Sequence, residues 1–285
     1  SELTARKRKT ILLNFHTYDP TNPDPPYTQR QHVSLLHTPM GYVREKRMPF
    51  DIFDPCYPDR LGESTADPRL VSRIALTIGR LSQKDYEQAL GDEWDGKRFR
   101  IGFNHPYELP DGSLEVRGQV WSFFEFVRRM FETERANVKR TPVERASLEL
   151  VWRMLMDTNL RDVDSAALRS YLHMFRQQAS HMLHVTDADG NRTAASYIDV
   201  EKAYEEVVDF IRESDVVDRF EHDPHRFSAM AIEIRKDLLW KYHRMQPVPS
   251  PDAFRERVGR FLAKHIARAV TIYIDEDARS SDGWQ

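Results

Sequence analysis

A mainly α protein with a multi-helix, bundle-like body is the architecture this chain points to, and three observations lead there. Four capping residues each stand directly before a proline and a periodic apolar run: Asp67-Pro68, Thr141-Pro142, Asp223-Pro224 and Ser250-Pro251. A cap side chain accepts a hydrogen bond from an orphan N–H, and proline at the next position has no N–H to leave unsatisfied. Beyond Asp67, apolar residues recur at intervals of three and four through most of the chain, the period of a half-buried helix. The stretch before Asp67 behaves differently: it holds eight of the 16 prolines, with aromatics scattered among them.

Residues 1–66 therefore form an extended, Pro/aromatic-rich N-terminal arm. Proline removes donors and blocks helix continuation, so long regular elements are not expected there. Ile11 to Phe15 reads as one short strand. Tyr18, Tyr27, Leu35, Leu36, Ile52 and Phe53 give the arm something to bury, unlike a disordered tail. It lies along its own helical body or along a neighbouring subunit.

The body, residues 67–285, follows as a helical domain. Leu70, Val71, Ile74, Ile78 and Leu81 define a helix to about Arg80. Ser82 to Asp85 opens a short helix that closes at Gly91. Arg98 to Phe103 alternates, Pro110-Asp111-Gly112 is a turn signal, and Leu114 to Arg117 alternates again. These predict one small β-hairpin inserted at about 98–117. Gln119 to about Ala136 is so rich in Phe, Val and Trp that it reads as a central helix. Thr141-Pro142-Val143-Glu144 is a capping box opening a helix to about Asn159. Further helices are expected at Ser165 to His184, around Val200 to Ile211, from Asp223-Pro224 to Met245, and from Ser250-Pro251 to about Asp275. Asp187 to Asn191 is a turn. It begins like a calcium loop, but Arg192 and Ile198 stand where that loop needs glycine and glutamate.

Composition narrows the function. The net charge of −3 supplies no overall field toward nucleic acid or membrane, so any such contact needs a local patch. A lone cysteine, Cys56, cannot form an internal disulfide and fits a reducing, cytoplasmic compartment. No apolar run approaches bilayer length, so no membrane is expected as a partner. The chain has no glycine-rich dinucleotide fingerprint, no phosphate loop and no nucleophile elbow. No cofactor is expected.

Three residue sets remain. Arg257, Arg260, Lys264 and Arg268 are spaced to form one basic stripe along the last helix. With Arg6, Lys7, Arg8 and Lys9 at the start of the arm, they are the candidate nucleic-acid contacts, since phosphate neutralisation asks only for local positive charge. His181 and His184 on one predicted helix, with His222 and His225 at the start of another, could converge as imidazole ligands on a metal ion. Against that, the pattern lacks the glutamate of the zinc-protease motif, and Asp223 is already committed as a cap. Finally, the arginine–four–histidine spacing of Arg260 and His265 resembles that of helical HEPN-type ribonucleases. In such enzymes the histidine would serve in acid–base cleavage and the arginine would carry phosphate charge. Here Phe261 follows the arginine where a polar residue is usual, and the offset places the two side chains about 140° apart on a helix.

The expected function is a non-enzymatic binding or assembly protein, nucleic-acid-associated through these basic patches. Its protein partner is met, or it self-associates, through the N-terminal arm. The alternative class is a hydrolase, either His-ligated to a metal or HEPN-like.

Overall fold

The computed structural model describes residues 10–21, 29–38, 64–81, 83–91, 98–110, 113–160, 182–186, 190–223, 225–243, 246–247 and 252–282. Along the chain the elements are β1 (Ile11–Tyr18), β2 (Val33–Leu36), α1 (Pro68–Gly79), α2 (Gln83–Leu90), β3 (Ile101–Phe103), α3 (Leu114–Glu134), α4 (Pro142–Leu160), β4 (Met182–Thr186), β5 (Arg192–Ser196), α5 (Tyr197–Glu213), α6 (Val216–Glu221), β6 (Ser228–Arg235), a 3-10 turn at Lys236–Leu238, β7 (Tyr242–His243), β8 (Gln246–Pro247) and α7 (Ala253–Asp282). They fall into two units, Ser1–Thr38 with Ser64–Leu109 and Phe227–Gln285, and Pro39–Glu63 with Pro110–Arg226.

The mainly α expectation is overturned. Helix takes 58% and strand 18% of the described residues, and four strands join in one mixed sheet, so the fold is mixed α/β. The strand order is β1-β6-β2-β3. β1 runs parallel to β6, β6 antiparallel to β2, and β2 parallel to β3.

This sheet organises the first unit. Met230, Ile232 and Ile234 alternate along β6, and side chains two apart share a face. With Val33 and Leu35 of β2 they form one core against Leu70, Ile74 and Ile78 of α1 and Val258, Leu262 and Ile266 of α7. The opposite face carries Ser34, Glu233 and Arg235. The α1 cap forms as the Asp67-Pro68 pair demands: Asp67 accepts from the Arg69 N–H at 2.8 Å, and also receives the Tyr273 hydroxyl of α7 at 2.7 Å. At the head of α7, Asp252 accepts from the Arg255 N–H at 3.0 Å, while Ser250-Pro251 lies outside the described residues.

Four further expectations change. The arm's described portions include strands of the sheet: the strand expected at Ile11 to Phe15 forms and extends to Tyr18, and Val33–Leu36 is buried throughout. The hairpin at 98–117 does not form. Ile101–Phe103 pairs with β2, and Leu114 begins α3. The α3 cap is Ser113, whose hydroxyl accepts from the Val116 N–H at 3.3 Å. Asp223-Pro224 does not open a long helix. Asp223 instead accepts the His225 N–H at 2.8 Å in a turn, and β6 follows. Part of the helix expected to reach His184 lies outside the described residues, and Met182–Thr186 is a strand paired antiparallel with β5.

Among its described residues the second unit has β4 and β5 as its strands and is otherwise built on helices. α3, α4, α5 and α6 share a core built largely from aromatics. Phe131 meets Trp152 at 5.7 Å and Phe210 at 5.3 Å, and Phe123 meets Phe220 at 5.4 Å, all edge to face. This geometry favours ring quadrupoles beyond simple area burial. The Thr141-to-Glu144 capping box forms, with Glu144 accepting the Thr141 N–H at 2.7 Å and Thr141 accepting the Glu144 N–H at 3.3 Å. Ser196 and Asp199 make the same reciprocal pair at the start of α5.

Candidate functional site

The basic stripe lies on α7, in the first unit. Its spacing of three, four and four keeps one helical face, and that face borders the one α7 buries. Val258, Leu262, Ile266 and Ala269 enter the core, while Arg257, Arg260, Lys264 and Arg268 are all exposed. The stripe is about 16 Å long at 1.5 Å rise per residue. Arg260 makes an ion pair with Glu256 at 3.3 Å, its side chain 83% exposed, and Arg257 sits over the Phe254 ring at 5.8 Å. Such an exposed pair holds Arg260 only weakly. Among the described residues, Lys264 and Arg268 have no carboxylate partner. Arg6 to Lys9 lie outside the described residues.

Arg260 and His265 are not brought together. Arg260 projects into solvent, and His265 is buried with its ring 4.6 Å from Phe261. Burial pushes the His265 pKa down, and the nearby Lys264 and Arg268 charges push it further. Among the described residues its Nδ1 has no hydrogen-bond partner. A neutral imidazole facing the core is poorly placed to exchange protons with a substrate held by Arg260.

The metal candidates do not assemble among the described residues. His181 lies outside the described residues. His184 is exposed on β4. The His222 Nδ1 sits 2.7 Å from the Asp218 carbonyl at the end of α6, and His225 is exposed in the turn after Asp223. Among the described residues no three His, Cys, Asp or Glu side chains converge as metal ligands.

Sequence reasoning missed one polar cluster, at the ends of β2 and β3. His37, Ser64 and Asn104 meet there from three separate stretches of chain. The His37 Nδ1 lies 3.0 Å from the Ser64 hydroxyl, and the Asn104 amide nitrogen lies 3.4 Å from Nε2. These residue types resemble a nucleophile–base–orienter set, so the direction of each hydrogen bond decides what they can do. Asn104 Oδ1 accepts the backbone N–H groups of His37 and Thr38, at 2.9 and 3.0 Å. That fixes the amide: its nitrogen donates to the Thr38 hydroxyl at 2.8 Å and toward His37 Nε2. With Nε2 accepting, Nδ1 carries the proton and donates to Ser64, whose own hydroxyl donates to the Ala66 carbonyl at 2.8 Å. His37 therefore does not act as base toward Ser64. Burial lowers its pKa and keeps it neutral. The cluster ties the two strand ends to the segment that enters α1. Its one sequence signal is Asn104 itself, which takes the left-handed φ of 47° that asparagine tolerates.

The polar sheet face is similarly knitted. Arg235, 4% exposed, holds Asp237 through Nε at 2.6 Å and the Arg30 carbonyl at 3.1 Å. Arg30 stacks between the rings of Tyr18 and Tyr107, at 5.8 and 5.2 Å. Burial raises the Tyr18 pKa, with the Arg235 charge opposing, and keeps its hydroxyl protonated. That hydroxyl donates to the Gln31 carbonyl.

Among the described residues no helix is long and apolar enough to cross a membrane. No protein-family model, curated protein or solved structure matches this chain.

Proposed function

We propose that this protein is a non-enzymatic binding protein that contacts nucleic-acid phosphates through the α7 stripe. The observation that carries the reading is the placement of Arg257, Arg260, Lys264 and Arg268, all exposed on one face of a helix whose adjoining face is anchored in the core. A rigid helix presents the four cations at fixed intervals, and two of them have no carboxylate partner among the described residues. Phosphate contacts need charge and position, without base-specific geometry. The hydrolase alternative gains no support from the described residues, where neither of its residue sets assembles.

Fluorescence anisotropy with a labelled duplex and a labelled single strand tests the reading. The double reversal Arg257→Glu with Lys264→Glu should lower affinity at least tenfold, whereas His265→Ala should leave affinity unchanged in protein that remains folded. Unchanged affinity in the double reversal, or loss of RNA cleavage in His265→Ala, counts against it.

A further inference from the structure

A second cationic feature lies in the helical unit, independent of the stripe. The C-terminal half of α3, the connection that follows it and the N-terminal half of α4 enclose a cleft of about 300 Å³. Four arginines line it, Arg128, Arg135, Arg140 and Arg145, against two carboxylates, Glu132 and Glu149.

The partners of these arginines separate them into two kinds. Arg128 is matched, donating to Glu132 at 2.9 Å and Glu149 at 3.0 Å, and Arg153 shares Glu149 at 3.2 Å. Arg140 is matched as well, gripping Glu206 with both terminal nitrogens at 2.7 and 2.6 Å, so that three arginines balance Glu132, Glu149 and Glu206. Among the described residues the guanidinium of Arg145 reaches only the Arg140 carbonyl, at 3.2 Å, and Arg135 has no carboxylate partner. Among the described residues two positive charges, Arg135 and Arg145, are thus left without a carboxylate at the cleft. Beneath them lies the buried aromatic core. Phe131 and Trp152 are each 2% exposed and pack edge to face, and both line the cleft.

Matched arginines stiffen a site, and unmatched ones define what it takes. Guanidinium forks suit the oxygens of phosphate, and two unmatched cations balance a dianion. The volume is at the lower end of the range for small-molecule sites, ~300–1,000 Å³, which suits a mononucleotide-sized compound. We propose that this cleft binds a small phosphomonoester, its dianionic phosphate held by Arg135 and Arg145 and its ring or chain lying along Val138, which is 46% exposed and lines the cleft. A monocarboxylate would leave one cation uncompensated.

Isothermal titration calorimetry on the full chain tests this, with adenosine 5′-monophosphate, adenosine and inorganic phosphate as probes. The monophosphate should bind one to one, adenosine should bind at least tenfold more weakly, and inorganic phosphate should compete. Arg135→Ala and Arg145→Ala should each weaken the monophosphate at least tenfold. Both side chains are exposed, so these variants should keep the wild-type melting temperature. Arg129→Ala, on α3 but outside the cleft, should bind as wild type does. Lack of binding by both the monophosphate and inorganic phosphate at millimolar concentration would overturn the proposal. So would unchanged affinity in the double Arg135→Ala, Arg145→Ala variant. If the α7 double reversal abolishes monophosphate binding, the ligand sits on the stripe, and the cleft proposal fails while the α7 reading stands.

Discussion

Asp67 concentrates several of the forces that shape the first unit. It caps α1, accepts the Arg69 guanidinium at 2.7 Å and receives the Tyr273 hydroxyl from α7. Burial alone would raise its pKa, but the hydrogen bonds from Arg69 and Tyr273 outweigh that and hold it at about 2. A carboxylate depressed in the folded state contributes stability that is complete above its unfolded value and is lost as pH falls through the folded one. Urea unfolding should therefore show this contribution intact above about pH 4 and declining toward pH 2. Asp67→Ala should cost about 1–2 kcal/mol at neutral pH, as for other lost helix caps, and should flatten that acid limb. The histidines act in a higher window. His37 and His265 both have lowered pKa values because burial disfavours the charged ring. The unfolded chain binds their protons first, so stability is complete above about pH 6.5 and falls below it. His265→Leu should reduce the stability difference between pH 7.5 and 5.5, and an unchanged difference would contradict the buried, neutral assignment.

At the level of elements, the caps are legible in the sequence and the periods only partly so. Asp67, Thr141 and Gly91 mark helix ends in the sequence and do so in the structure, because capping is satisfied within a few residues. β6 escapes a local reading because Asp223-Pro224 resembles a helix start and the run from Phe227 to Lys236 is short. Its alternating Met230, Ile232 and Ile234 carry period two, but its surroundings decide the outcome. It lies between β1 and β2, whose sequences are distant from it. The same holds for Leu114 to Arg117, whose alternation gives way to the Ser113 cap and the long apolar face of α3. Ile232→Ala tests the assignment directly. Its side chain is fully buried in the sheet core, so the substitution should cost about 2–5 kcal/mol in denaturant unfolding. A cost below about 1 kcal/mol would mean that β6 is not the sheet's interior strand.

Across the whole molecule, the chain builds its first unit from three separated stretches and its second largely from the stretch between β3 and β6. Local sequence patterns do not reveal that the N-terminal arm supplies two strands of a sheet that β6, far along the chain, completes. Deleting residues 1–66 should therefore unfold the first unit, seen as lost cooperative unfolding and lost far-ultraviolet signal. A deletion product that keeps both would contradict the sheet topology. Candidate sites follow the same division. The α7 stripe is legible because one helix carries it whole and the helical period alone assigns its face. The arginine cleft and the His37, Ser64 and Asn104 cluster are not, because their members meet only after packing. The stripe is the central functional claim, and the salt dependence of duplex binding tests it most directly. Each phosphate contact contributes about 0.9 to the slope of log affinity against log salt, so four engaged cations predict a slope of about −3.6. Replacing Arg257 and Lys264 with alanine should bring it to about −1.8, whereas a wild-type slope near zero, or one unchanged by these substitutions, would contradict the account.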